Sequence, residues 1–161
     1  MSHIYFRGRR MYGTWVYGLP VYSVSERDGT IGGIIGLDKR IYMVNPKTVC
    51  QSIGMYEIDE NDNKRKLIFE CDIVELKTRG GTIDRYLIWW SKEMSMMTAV
   101  SLDRIEFNGC DYWDGGPNAI EYSTFCLMMQ DPYGDFEYIK VIGNLYDNPE
   151  LISCKRFKME E

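Results

Sequence analysis

The chain has 161 residues, of which 45% are hydrophobic and 27% are charged. This composition is typical of a folded chain that needs neither a metal nor a disulfide framework to hold its core. Nineteen basic and twenty-four acidic side chains give a net charge of -5, so any contact with nucleic acid must rest on a local patch. The apolar runs are shorter than the roughly twenty residues of a membrane helix, and we therefore expect no membrane span.

The cysteines are five in number, which is odd, and no pair of them has CxxC spacing. No apolar signal segment precedes them. This pattern predicts buried thiols in a reducing compartment, and therefore a cytoplasmic protein. The five are Cys50, Cys71, Cys110, Cys126 and Cys154.

The first element lies in HIYFRGRRMYGTWVYG, where three arginines stand among aromatic residues. Tyr5 and Phe6 precede the arginines, and Trp15 and Tyr17 follow a glycine-containing turn at 12–13. Bulky apolar residues on both sides of a turn favour a β-hairpin over a flexible basic arm.

The three arginines, Arg7, Arg9 and Arg10, allow two interpretations. We favour a solvated face, in which long aliphatic stems cover apolar surface or the charged heads pair with an acidic loop. The alternative is a nucleic-acid site in which the arginines bind phosphate and Tyr17 stacks on a base.

The next segment, TIGGIIGLDK, contains three glycines but neither GxGxxG nor a Gly-Lys-Ser/Thr ending. It therefore lacks the geometry that holds phosphates at a helix start. We expect a β stretch rich in turns.

The charged segment EIDENDNKRK marks a soft boundary, and with Glu70 it places acidic or amide residues at calcium-loop spacing. Position six of that loop requires glycine, but here it is Lys64, and the flanking segments have strand character. We therefore expect a solvated turn and no metal. The residues that match the spacing are Asp59, Asn61, Asn63 and Glu70.

The segment CDIVELKTRGGTIDRYLIWW predicts a second hairpin, with Gly80-Gly81 as a two-residue turn and Val74 and Leu76 on the inward face. The following stretch, which includes Met97, favours a strand over a helix. Near the end of the chain, Asn148 is a candidate cap for a short helix that begins at Pro149.

Signatures of enzymes are weak. The only histidine, His3, stands near the start of the chain, which argues against histidine-based zinc sites and nucleophile–histidine pairs. Asp111 and Asp114 leave a glycosidase-like carboxylate pair as an open alternative, although chance proximity is the default for so acidic a chain. We expect no cofactor and no enzymatic activity.

Four motifs together resemble the YopX family of phage and prophage proteins: FRGRR with GTWVYG, VNPKTVCQSIGM, LIFECDIVEL and VIGNLYDNPELI. They span residues 6 to 152 in the family's order. The resemblance implies a mainly β protein whose second part is similar to a small SH3-like barrel, and it implies oligomers but no established activity. Where family members have Glu-Gly-Asp, this chain has Glu70-Cys71-Asp72, so a less extreme backbone conformation is expected at Cys71.

The resulting prediction is a single YopX-like domain over 1–161, mainly β (a β-rich α+β class). It divides into an N-terminal β-hairpin region over 1–60 and an SH3-like β-barrel region over 61–161 with a short C-terminal helix. Its expected function is that of a non-enzymatic phage accessory protein that binds protein or itself in the host cytoplasm. A nucleic-acid-associated factor is the alternative, and a small-molecule enzyme is third.

Self-association is expected because unprotected sheet edges invite another chain. We take the N-terminal strand as the expected edge strand, since it lies at a free end and carries much aromatic surface. The predicted homo-oligomer interface comprises Tyr5, Phe6, Trp15 and Tyr17.

Overall fold

The fold is mainly β, as the sequence predicts. The computed structural model describes the residues numbered 5–23, 29–59, 66–91, 96–102, 119–121 and 136–152. The chain forms two compact units, of which the first comprises Met1–Met55 and Leu67–Phe69 and the second comprises Tyr56–Lys66 and Glu70–Glu161.

The strands of the described residues are numbered in chain order. They are β1 Phe6–Arg9, β2 Trp15–Tyr22, β3 Ile31–Gly36, β4 Ile41–Met43, β5 Cys50–Tyr56, β6 Ile58–Asp59, β7 Leu67–Phe69, β8 Asp72–Thr78, β9 Ile83–Ser91, β10 Met96–Ser101, β11 Ala119–Glu121 and β12 Phe136–Asn144. In the described part of the chain, two short 3-10 helices cover Pro46–Thr48 and Pro149–Leu151.

Each unit is built on one six-stranded sheet. The strand order is β4-β3-β2-β1-β5-β7 in the first and β11-β10-β9-β8-β12-β6 in the second. Neighbours in the sequence are mostly neighbours in space, because short turns connect antiparallel strands directly.

The first hairpin is present where the sequence predicts it, with Arg7 opposite Tyr17 and Arg9 opposite Trp15. The prediction that the N-terminal strand forms a sheet edge is wrong. Strand β1 also pairs with β5, through Arg7 opposite Cys50, and therefore lies inside the sheet. The terminal strands of this sheet are β4 and β7.

Three of the hairpin turns have the same geometry. In each, a three-residue loop closes with a backbone hydrogen bond, and its third residue has a positive φ: 89° at Gly13, 64° at Lys39 and 87° at Gly81. This is the pattern of a turn followed by a left-handed residue. The two-residue turn predicted at Gly80-Gly81 is therefore wrong, since only Gly81 is left-handed and the loop spans 79–81.

The core of the second unit lies on the strands that the alternation predicts. Val74 and Leu76 are buried as expected, and Ile73 on the opposite side of β8 is buried as well. Leu87 of β9 lies opposite Ile73 in the register and is equally buried. The stretch that includes Met97 forms strand β10, so the preference for a strand is confirmed.

Cys71 contradicts the expectation of a less extreme backbone conformation at this position, because its φ of 64° lies in the left-handed region. Its N–H donates to Ile88 O at 2.7 Å, and its carbonyl accepts from Leu145 N at 2.9 Å. The turn residue that precedes β8 is thus fixed at both of its backbone groups. A conformation that favours glycine is thus adopted here by a cysteine.

The predicted C-terminal helix is a single 3-10 turn that begins at Pro149. Asn148 occupies the cap position, but its side chain makes no capping hydrogen bond. Instead, its Oδ1 accepts from Asn144 N at 3.4 Å. The Asn148 side chain therefore bonds to the end of β12 and does not cap the helix.

The segment around the predicted boundary has strands β5 and β7 on its two sides, so helices do not flank the calcium-like spacing. Asn61, Asn63 and Lys64 lie outside the described residues. Within the part of the chain that the structure describes, no group of three or more His, Cys, Asp or Glu residues could hold a metal ion.

Two of the predicted buried thiols, Cys50 and Cys71, are buried, as the sequence predicts. The other three cysteines, the carboxylates Asp111 and Asp114, and His3 all lie outside the described residues. No described helix is long and apolar enough to cross a membrane.

Candidate binding surface of the first unit

An open groove of about 390 Å³ lies where two turns of the first sheet meet. The β1–β2 turn and the β3–β4 turn are at the same end of the sheet, because Gly18 of β2 pairs with Gly36 of β3. Besides Trp15, Tyr17 and Leu37, the groove is lined by Arg10, Thr14, Val16, Gly36, Asp38 and Tyr42.

Gly36 leaves space beside two side chains of this groove. A Cβ atom added at Gly36 would lie 2.9 Å from Asp38 Oδ1 and 3.0 Å from Tyr42 Cε2. Any side chain at this position would therefore displace the two residues that form one wall of the groove.

That wall is held by a short hydrogen bond from the Tyr42 hydroxyl to Asp38 Oδ2, at 2.6 Å. The same bond lowers the pKa of Asp38, with help from the Arg40 N–H, and raises the pKa of Tyr42. Asp38 is therefore a carboxylate at neutral pH and an acceptor in the turn.

Arg10 lies at the rim, with its guanidinium carbon 5.2 Å from the centroid of the Tyr42 ring. The side chain is exposed, and it makes no ion pair with any described residue. A guanidinium that stacks on an aromatic ring keeps the N–H groups of its edge available. Arg10 thus presents a positive charge and several donors at the groove.

Arg7 differs from its neighbours and contradicts the predicted solvated face. It is only 3% exposed, and its guanidinium carbon lies 4.8 Å from the Trp15 ring centroid and 5.0 Å from the Phe69 ring centroid. The two aromatic rings offset part of the cost of burying this charge. Arg7 is therefore a core residue of the first unit.

Arg9 is half-buried and serves the hairpin turn, since its Nε donates to Gly13 O at 3.3 Å. Tyr17 borders the groove, but its side chain lies on the face of the sheet that carries Arg7, where it is 43% exposed and packs on Phe69 with ring centroids 5.6 Å apart. Of the four predicted nucleic-acid residues, only Arg10 presents its side chain to the groove with Tyr42, and the structure does not bring the four together.

The predicted interface residues are also divided. Trp15 and Tyr17 line the groove, whereas the backbone of Tyr5 is fixed to Ser52 by hydrogen bonds of 3.1 Å and 2.7 Å. Phe6 is half-buried between β2 and β5. The backbone groups of the N-terminal strand therefore form hydrogen bonds within its own sheet.

A second feature of the first unit is an exposed apolar face on β2, β3 and β4. Two rows cross these strands, Leu19–Ile35–Ile41 and Val21–Gly33–Met43. Leu19 is 47% exposed, Ile41 is 61% exposed and Met43 is 68% exposed. We call these six residues the apolar face.

Charge is distributed unequally between the two units. The first unit has seven basic and three acidic side chains, a net charge of +4. The second has twelve basic and twenty-one acidic side chains, a net charge of -9. The overall charge of -5 therefore conceals a basic unit, and it is this unit that carries the groove.

Sequence reasoning missed Asp38 and Tyr42 in the groove, and Ile41 and Met43 on the apolar face. These residues belong to a hairpin far along the chain from Arg10, so local patterns do not connect them. The LDKR turn was a usable signal, since Asp in a turn commonly accepts from the backbone two residues on, as it does here from Arg40 N at 3.2 Å.

No protein-family model, curated protein or solved structure matches this chain.

Proposed function

We propose that the protein is a non-enzymatic phage accessory protein of the YopX-like kind, which acts by self-association through the apolar face of its first unit. The observation that supports this proposal is that Leu19 on β2 and both Ile41 and Met43 on the terminal strand β4 are exposed. Contiguous exposed apolar surface commonly marks an interaction site.

A second copy of the chain is the occupant that suits this face. In the first sheet, β4 pairs with β3 on one side and is terminal on the other, so its outer backbone groups can accept another strand. Antiparallel pairing of two β4 strands about Tyr42 would place Ile41 beside Met43 of the copy. The contact is self-complementary, as a two-fold interface requires.

The four motifs that resemble YopX proteins support the phage assignment and the expectation of oligomers. An SH3-like barrel in the second unit belongs to the same proposal. The mainly β architecture is compatible with it, and the six-stranded sheet β11-β10-β9-β8-β12-β6 is the part of the chain it concerns.

The test is the oligomeric state of Ile41→Glu by light scattering after size exclusion. The wild-type chain should have a mass that is a multiple of 18.9 kDa at about 100 μM, and Ile41→Glu should lower it to one chain. The stability of the single chain should change little, because Ile41 is already 61% exposed. The glutamate charges of two copies repel each other only where the copies meet.

The matched control is Ile83→Glu, the same exchange at a strand position of the second unit that is 50% exposed. It should leave the mass unchanged. A wild-type protein that stays monomeric from about 1 to 100 μM, where an interface of standard size is populated, would contradict the proposal. So would an equal loss of mass in both variants.

A further inference from the structure

We propose that the end of the first sheet formed by the β1–β2 and β3–β4 turns is a docking surface for an anionic lipid bilayer. Three apolar side chains of these turns, Met11, Tyr12 and Leu37, enter the headgroup region, and basic side chains beside them face the lipid charges. We call these three residues the apolar tips. The contact requires no membrane span, and it does not depend on self-association, because none of the three belongs to the apolar face.

The main observation is where the most exposed apolar side chains lie. Tyr12 is 92% exposed, Leu37 is 84% exposed and Met11 is 79% exposed, and these are the three largest exposures among the large hydrophobic side chains of the described residues. All three stand in two turns at the same end of one sheet. Single apolar residues scattered over a surface need no explanation, whereas their concentration in one place marks an interaction site.

The geometry of the turns does not require apolar residues. The turn at 79–81 has the same three-residue loop with a left-handed third residue, and its sequence is Arg-Gly-Gly. The loops of the first unit instead read Met-Tyr-Gly at 11–13 and Leu-Asp-Lys at 37–39. An apolar side chain at a protruding turn gains little from the core of its own unit, so a partner outside the chain accounts for the apolar tips.

Both turns hold the apolar tips in place before any contact is made. Gly13 N donates to Arg10 O at 2.9 Å, and Lys39 N donates to Gly36 O at 2.9 Å. Backbone groups that bond within a turn do not have to find new partners when the turn leaves water. A preformed surface also loses little conformational freedom on binding.

Basic side chains next to the apolar tips favour an anionic bilayer. The segments 9–14 and 36–42 contain four basic side chains and one acidic side chain, a net charge of +3. The acidic one, Asp38, pairs with Arg40 at 3.8 Å, and Arg10 and Lys39 are the other exposed cations of the two turns. The field of an anionic surface decays over about 8 Å at physiological salt. Charges within the turns therefore matter more for docking than the net charge of the chain.

A fluid bilayer suits this surface better than a folded protein partner. The apolar tips stand on two separate turns that border an open groove. Lipid can close around separate protrusions, whereas a protein partner needs a complementary shape. Tyrosine is also favoured at the bilayer interface, because its ring is apolar and its hydroxyl can stay in contact with water.

Cosedimentation of the full chain with phosphatidylcholine vesicles that contain about 30% phosphatidylserine tests the proposal. The wild-type chain should sediment with these vesicles and much less with pure phosphatidylcholine, and about 0.5 M salt should release it. Leu37→Ser and Tyr12→Ser should each weaken binding about tenfold, because each removes an apolar side chain from the lipid contact. Lys39→Gln should weaken binding about fivefold through the loss of one charge near the surface.

The matched controls come from the second unit. Ile83→Ser removes an apolar side chain that is 50% exposed, and Arg79→Gln removes an exposed charge from the turn of the same geometry. Both should leave vesicle binding unchanged. Melting temperatures of all variants should match the wild type, so that loss of binding is not loss of fold.

Absence of sedimentation with the anionic vesicles at low salt would overturn the proposal. Equal binding to both kinds of vesicle would overturn it as well, because charge would then have no part in docking. A third contrary result is an equal loss in Leu37→Ser and Ile83→Ser, which would indicate adsorption of the chain without a specific contact at the turns.

Discussion

At the scale of single residues, two non-glycine positions among the described residues adopt left-handed backbone conformations, Lys39 with φ 64° and Cys71 with φ 64°. For L-residues this conformation costs about 1–2 kcal/mol. At Lys39 the exposed turn requires it. At Cys71 it is combined with burial, since only 4% of the residue is exposed and its Sγ lies 3.8 Å from the Tyr146 hydroxyl.

This combination predicts an unusual order of stability at Cys71. Cys71→Ala loses the buried sulfur, at about 1 kcal/mol, and keeps the left-handed strain. Cys71→Gly loses slightly more packing but removes strain of about 1–2 kcal/mol. We expect the glycine variant to be at least as stable as the alanine variant in urea unfolding.

Cys50 supplies the control, because it is fully buried in strand β5 and has no positive φ. There the normal order should hold, with Cys50→Gly less stable than Cys50→Ala by about 1 kcal/mol. If Cys71→Gly is also clearly the weaker variant of its pair, the left-handed backbone carries no strain that glycine can relieve.

At the scale of elements, close contact between strands β2 and β3 depends on a glycine. A Cβ atom placed on Gly18 would lie 1.8 Å from the Ile35 carbonyl oxygen and 2.8 Å from its carbonyl carbon. Both are backbone atoms, so no side-chain rotation can make room. Gly18 also pairs with Phe6 of β1 and Gly36 of β3, which places it in the middle of the sheet.

Gly18→Ala should therefore destabilise the first unit by about 3 kcal/mol, since the strands must separate to admit one methyl group. Gly32→Ala is the comparison within the neighbouring strand, where the nearest atom, Ser23 Cβ, is at an ordinary 3.5 Å. That exchange should be neutral or stabilising by up to about 1 kcal/mol. Urea unfolding followed by circular dichroism measures both, and equal effects would refute the steric argument.

The sequence predicts these elements well where the signal is local. Alternating apolar residues around glycine-containing turns identified both the hairpin at Gly13 and the hairpin at Gly81, because the turn and its strands are contiguous. The pairing of Arg7 with Cys50 could not be predicted in this way. Its partners are far apart in the chain, and register between distant strands leaves no local pattern.

The same reason explains which residues of the candidate site could be identified from the sequence. Arg10 and Tyr17 were identified because arginine and aromatic residues stand together in the sequence. Arg7 was misassigned because its burial depends on Phe69, which only the folded sheet brings to it. Tyr42 was missed because the stack on Arg10 joins two hairpins.

At the scale of the whole molecule, the two units differ in charge and each has a sheet of its own. The first carries +4 and the second -9. The first unit therefore attracts polyanions and the second repels them. With a sheet in each unit, the protein need not unfold in a single cooperative transition, because two-state behaviour is typical of single domains.

Removal of residues 1–12 tests this division. The deletion takes away β1, which lies between β2 and β5, together with the buried Arg7 and its ring contacts. The first sheet then loses its central pairing, so the first unit should unfold even when the protein is dilute. The second unit retains its six strands and its buried residues on β8, β9 and β12, and it should remain folded.

Amide NMR spectra of the full and truncated chains distinguish the outcomes. Resonances of β2 to β5 should collapse into the unfolded region in the truncated chain, while those of β8 to β10 keep their dispersion. A terminal strand that served only to hold two copies together would give a different result, a folded monomer with both sets of resonances dispersed. That outcome would contradict the internal position of β1, and loss of both sets would contradict independent stability of the second unit, because each sheet would then need the other to fold.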